Sequence, residues 1–108
     1  MEVNNCFFCK SKIDVINRNI ERINCDEYRC VAKCGNYIID NDSNVREFYN
    51  LLTEDRKEKI LKKLEETKEN RKYIEVAPND VFDVDIAKIE ENMKNAIITI
   101  DLLKRWLD

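Results

Sequence analysis

Histidine is missing altogether from this chain of 108 residues, and glycine, proline and tryptophan occur once each. Without an imidazole there is no ready general base near neutral pH, and any metal site must be built from sulfur or carboxylate oxygen. A single glycine leaves no Gly-rich cradle for phosphate and no serine set in a glycine-flanked nucleophile turn. No run approaches 18 uncharged apolar residues, so no segment reads as a membrane span. The opening Met1-Glu2-Val3-Asn4-Asn5 has neither the basic nor the apolar region of a secretory signal. A reducing cytoplasm is therefore expected, where paired cysteines serve metals more often than disulfides.

A basic excess is missing too. Lysine and arginine total 19 against 22 acidic residues, a formal charge of -3. The balance is even in residues 1–44 and 45–75 and turns acidic over 76–108, with four basic against seven acidic residues. Phosphate neutralisation dominates nucleic-acid affinity, so the absence of a basic footprint argues against DNA or RNA as the partner. Lys57, Lys59, Lys62 and Lys63 alternate with Glu54, Glu58, Glu65 and Glu66, which reads as helix pairing. The carboxylate pairs Asp83/Asp85 and Glu90/Glu91 read as solvated helix-start and helix-face residues. The chain is expected to be a non-enzyme.

What is present is cysteine in pairs: Cys6-Phe7-Phe8-Cys9 and Cys30-Val31-Ala32-Lys33-Cys34-Gly35. Two close pairs joined by a short linker supply the four thiolates of a tetrahedral Zn²⁺ site. Four thiolates saturate the ion, so the expected zinc is structural, with Cys6, Cys9, Cys30 and Cys34 as ligands. Gly35 suits the sharp backbone turn that follows a ligand pair, while Lys10 takes the same place after Cys9. The second pair is Cys-x3-Cys, so its loop must bulge. Cys25 is a fifth thiol, and Cys25-x4-Cys30 is an alternative to one of the pairs.

The elements expected around that site make an α+β protein: a zinc ribbon over 1–42 and a helical region over 43–108 packed on it. Ile13–Ile16 and Ile20–Ile23 read as short strands around a turn at Asn17-Arg18-Asn19, and Asn36–Ile39 as a third strand. A segment below roughly 40 residues seldom folds on apolar burial alone, which is where the metal contributes. Asp40–Asn44 offers helix N-caps ahead of a short helix over Val45–Leu52. A second helix starts at Thr53-Glu54-Asp55, with Ile60, Leu61 and Leu64 on one face and a polar, solvated end. Tyr73–Val76 reads as helix end or strand, and residues 79–83 as a loop. A last, long helix is expected from Val84 to Leu107. Its seam is Ile86, Ile89, Met93, Ala96, Ile100, Leu103 and Leu107, spaced for packing on the chain's own helices or for a homodimer through 86–107.

Cys6-x2-Cys9 followed by Tyr28-Arg29-Cys30…Cys34-Gly35-Asn36-Tyr37-Ile38-Ile39 resembles a bacterial N-terminal zinc-ribbon family. In its usual form a CxxC pair precedes a second cysteine pair running into Gly-x-Tyr-x-Ile. Segments similar to Leu52–Leu61 and Ile98–Leu107 recur there after the ribbon. The resemblance implies an accessory recognition module of the kind found ahead of effector regions, some linked to phage defence; here the effector is expected on another polypeptide.

The function expected from all this is a module that binds and regulates a larger partner protein. Phe7, Phe8, Ile97 and Trp106 are the candidate contact residues. Two alternatives stand beside it: a phage or mobile-element inhibitor of a bacterial immune nuclease, akin to an anti-CRISPR protein, and a nucleic-acid-binding ribbon.

Overall fold

The computed structural model describes residues 3–20, 22–71 and 93–108. The expectations for Tyr73–Val76, for the loop at 79–83 and for Ile86 and Ile89 of the seam lie outside the described residues.

The first forty residues form an antiparallel meander of four strands in the order β1-β2-β3-β4. These are β1 (Val3–Asn5), β2 (Lys12–Ile20), β3 (Ile23–Cys30) and β4 (Gly35–Asp40). Consecutive pairing places the β1–β2 and β3–β4 turns at the same end of the sheet, and these are the two cysteine turns. The β2–β3 turn lies at the opposite end.

That turn corrects the expectation of one at Asn17-Arg18-Asn19. The ladder runs unbroken from Asp14↔Arg29 to Ile20↔Ile23, so the chain reverses only beyond Ile20, with Arg22 at φ 70. Asn17 instead reaches across the ladder, donating to Asn24 Oδ1 (2.7 Å) and Asp26 Oδ1 (3.1 Å). Continuing the strand keeps the backbone groups of 17–19 paired.

Strand β4 is apolar on both faces: Tyr37, Ile38 and Ile39 are all fully buried. A continuous apolar run of this kind fits a strand covered on both sides rather than an alternating one. On one face, Tyr37 stacks on its cross-strand partner Tyr28 (centroids 4.7 Å apart, 8° between planes). Ile13, Ile39 and Phe8 join that core, together with Val45 and Tyr49 of α1 (Val45–Asn50), Ile60 and Leu64 of α2 (Glu54–Thr67) and Leu103 of α3 (Ile100–Leu107). On the other face, Ile20, Cys25 and Ile38 pack with Met93 and Ala96. The main core thus draws on both stretches that the sequence separates at residue 42. Helix α2 starts as expected: Thr53 Oγ1 accepts from Arg56 N–H (3.4 Å), with Glu54 and Asp55 in the first turn.

The single C-terminal helix is also corrected. Residues 93–95 are helical, but 96–99 are not. Ile38 N–H donates to Ala96 O (3.0 Å) and Ile98 N–H to Ile38 O (2.8 Å), a parallel bridge between Ile97 and Ile38. The outer edge of β4 would otherwise carry unpaired buried backbone groups, and the β-branched run Ile97-Ile98-Thr99 suits an extended partner. Thr99 then caps α3, its Oγ1 accepting from Leu102 N–H (3.1 Å). Of the described seam residues, Met93, Ala96 and Leu103 are buried within the chain itself.

Candidate metal centre

Each cysteine turn is closed by its own backbone. In the first, Lys10 N–H donates to Cys6 O (3.0 Å) and Cys6 N–H to Ser11 O (2.7 Å). This bends the chain so that Lys10 takes φ 66. In the second, Cys30 pairs with Gly35, which takes φ 72. Lys10 and Gly35 therefore do the same conformational job one residue after a ligand pair, although only glycine adopts it without cost. The extra residue of the x3 spacing is absorbed outward, leaving Val31 95% exposed at the loop tip.

The two turns bring four sulfurs together. Cys6 Sγ lies 3.7 Å from Cys34 Sγ and Cys9 Sγ lies 3.5 Å from Cys30 Sγ, and all four sulfurs fall within 4.8 Å of one another. None is in a disulfide. A tetrahedral ion with metal–sulfur bonds of about 2.3 Å spaces its ligands about 3.8 Å apart. The observed separations bracket that edge, so Cys6, Cys9, Cys30 and Cys34 are positioned to hold a metal ion.

Cys25 stands apart. It sits five residues before Cys30 on the same strand, about 16 Å along it at the usual rise. There it is buried among Ile20, Ile38, Met93 and Ala96, its thiol donating to Ile23 O (3.5 Å). Burial, with Asp40, Asp26 and Asp42 nearby, raises its pKa and disfavours the thiolate.

Two further residues hold the cluster, and neither is distinguished as a site residue by sequence pattern. Tyr37, fully buried, places its hydroxyl 3.0 Å from Cys6 Sγ and accepts from Phe7 N–H at 3.0 Å. Once Cys6 is a thiolate, the only proton left between the two is the phenol's, so Tyr37 donates to the sulfur. Burial first, and the neighbouring Cys6 next, push the Tyr37 pKa far above the usual phenol value, so it keeps that proton. Within the cluster the contact with Cys34 brings Cys6 down to about 4, with the Tyr37 hydrogen bond assisting. The same contact and burial push Cys34 up.

Arg71, 5% exposed, is the second. Its guanidinium donates to Cys34 O (2.6 Å), Asn36 O (2.8 Å), Leu64 O (2.7 Å) and Thr67 Oγ1 (2.6 Å). It lies in the 3-10 turn Lys68–Arg71 that ends α2, and it ties the helix to the second cysteine turn. Arginine's fixed fork of five donors suits this use, and its charge lies against the backbone of a ligand in an anionic cluster. In sequence it falls in a polar helix end that reads as solvated. Tyr37 stands two residues after Gly35 in the Gly-x-Tyr-x-Ile run, but nothing in that run marks it as a partner of Cys6, and nothing local marks Arg71.

The candidate contact residues separate. Phe8 is buried at 3% exposure, with its ring 5.0 Å from Tyr37 and 4.9 Å from Tyr49. Phe7 is half-buried under the Lys10 ammonium (4.9 Å from ring centroid), while Ile97 and Trp106 are half-buried against the two cores. Among the described residues no helix is long and apolar enough to cross a membrane. Comparison with protein-family models, curated proteins and solved structures gives no match for this chain.

Proposed function

We propose that the four cysteines bind one structural Zn²⁺ and that the chain is a non-enzymatic zinc-ribbon module that binds and regulates a larger protein. One observation carries the metal part of this reading: four sulfurs within 4.8 Å of one another, on two turns closed by their own backbone, would fill the positions of a tetrahedral ion. Soft thiolates in that geometry favour Zn²⁺ among the common cytoplasmic divalent ions. A saturated ion activates no water, so its contribution is to folding, and function falls to the surfaces it holds in place. Those surfaces include two well-exposed apolar residues, Val31 on the second cysteine turn and Leu51 (87%) after α1, with Phe7 and Trp106 partly accessible. In α2, Lys57 lies 3.7 Å from Glu54 and Lys63 3.9 Å from Glu66, which supports reading that helix as a self-paired face.

Metal analysis of the purified chain is expected to give one zinc per molecule, retained in Cys25→Ser and lost in Cys34→Ser. Affinity purification from the native host is expected to recover a stoichiometric protein. If that protein is an immune nuclease, the module is an inhibitor. Steeply salt-dependent binding to oligonucleotides with no protein recovered would overturn the protein-partner reading.

A further inference from the structure

We propose that Cys9 is the reactive sulfur of the centre, the position at which small uncharged electrophiles and peroxides enter and from which the metal is released. This rests on the metal-binding reading above and adds a modification site to it.

The cluster is asymmetric. Cys6 and Cys34 are fully buried and Cys30 is 2% exposed, whereas Cys9 is half-buried. Cys6 is covered by the Tyr37 hydroxyl, and the backbone of Cys34 is fastened by Arg71. Beyond Cys30 and Cys6, the Cys9 sulfur meets Ser11, with Oγ at 3.4 Å and its backbone beside it. Cys9 also lines an open groove of about 670 Å³ together with Phe8, Lys33 of the second cysteine turn and residues of α2 such as Leu61. Three lysines and three glutamates share that groove, so their charges cancel and no charged reagent is selected. A space of this volume admits peroxides and small alkylating agents, since a water molecule occupies only about 30 Å³ of liquid.

Cys30 supplies the second sulfur. Attack of the Cys9 thiolate on a peroxide cleaves the O–O bond, leaving a sulfenic acid and a hydroxide (or alkoxide) that takes a proton from solvent. The Cys30 thiolate, 3.5 Å away, then attacks the sulfenic sulfur and expels its hydroxyl, which leaves as water after protonation. The two sulfurs lose two electrons to the peroxide oxygens, a Cys9–Cys30 disulfide forms, and the metal departs as an unchanged divalent ion once two of its ligands are gone. A small dithiol returns both sulfurs to thiols.

The test uses the whole chain carrying Cys25→Ser to remove the spare thiol, after its metal content has been measured. Substoichiometric N-ethylmaleimide followed by peptide mapping is expected to label Cys9 at least about tenfold faster than Cys6, Cys30 or Cys34, because reactivity follows access to the thiolate. Hydrogen peroxide is expected to yield the Cys9–Cys30 disulfide in step with metal release to a metallochromic dye, and dithiol plus zinc to restore both. First labelling at another of the four, or a Cys6–Cys34 disulfide, overturns the proposal. A chain isolated without metal defeats the zinc reading instead, while the order of alkylation on that same sample still decides whether Cys9 is the point of entry.

Discussion

At the scale of single residues, the positive-φ positions that follow the two cysteine pairs, Lys10 and Gly35, make a matched pair with opposite predictions. A Cβ on Gly35 would stand 2.6 Å from Lys68 Cβ, in a backbone conformation that side chains avoid. Gly35→Ala therefore combines left-handed strain with a close contact between β4 and the 3-10 turn. It is expected to cost about 2–4 kcal/mol. Lys10 already bears the strain at φ 66, offset in part by its ammonium over Phe7. Lys10→Gly should leave stability unchanged or raise it by up to about 1 kcal/mol. Urea midpoints of the two metal-loaded variants against the parent check both signs. The four clustered cysteines were legible because chelation would impose a local spacing on them. Tyr37 and Arg71 act across 31 and 37 residues of chain, on Cys6 and Cys34 respectively, and no spacing rule reaches that far. Glu27 was missed at shorter range, its partners only two and nine residues away. It is fully buried between Arg29 Nε (2.7 Å) and Arg18 Nε (3.1 Å), where the sequence shows only an acid in an unremarked strand.

At the scale of elements, local propensity placed β4, α1 and α2, did not find β1, and failed where an edge had to be paired. Residues 93–107 carry a helical apolar spacing, and an isolated reading extends one helix through them. The buried edge of β4 competes for the same backbone and captures Ile97 and Ile98, because unpaired buried amides and carbonyls cost more than an interrupted helix. The β2–β3 reversal moved for a related reason: Asn17 is a good turn residue, but its amide satisfies Asn24 and Asp26 in the ladder. The interruption gives Thr99 opposite expected effects under the two architectures. Inside a continuous helix, Thr99→Ala would stabilise by a few tenths of a kcal/mol through propensity. As the cap of α3 it supplies the acceptor for Leu102 N–H, so the same change is expected to destabilise by about 1 kcal/mol. A thermal or urea melt of Thr99→Ala reads the sign.

For the molecule as a whole, what matters is whether the sulfur cluster and the helices stand or fall together. Cys6, Cys30 and Cys34 belong to the same buried cluster as Tyr37, Val45, Ile60, Leu64 and Leu103, and Arg71 pins the end of α2 to a ligand's backbone. Among the described residues the sheet and the helices share this one cluster, so removing an ion held by the four sulfurs should loosen α1–α3 along with the turns. The chain carries a built-in reporter of the far side of this core. Trp106, its single tryptophan, lies on α3 and packs against that cluster. Substituting Co²⁺ for the metal adds a reporter of the near side, since cobalt–thiolate absorbance vanishes when the sulfurs leave. Chelator or urea titration is expected to abolish the cobalt absorbance and shift the Trp106 emission over the same range, with far-UV ellipticity following the same curve, as in a two-state transition. Two separated transitions would mean that the helical part keeps its core without the metal, and that the division near residue 42 marks two folding units. Coincidence would make the metal a condition for the whole interaction surface, Trp106 included. Any regulation exerted through Cys9 would then be transmitted to every face a partner could use.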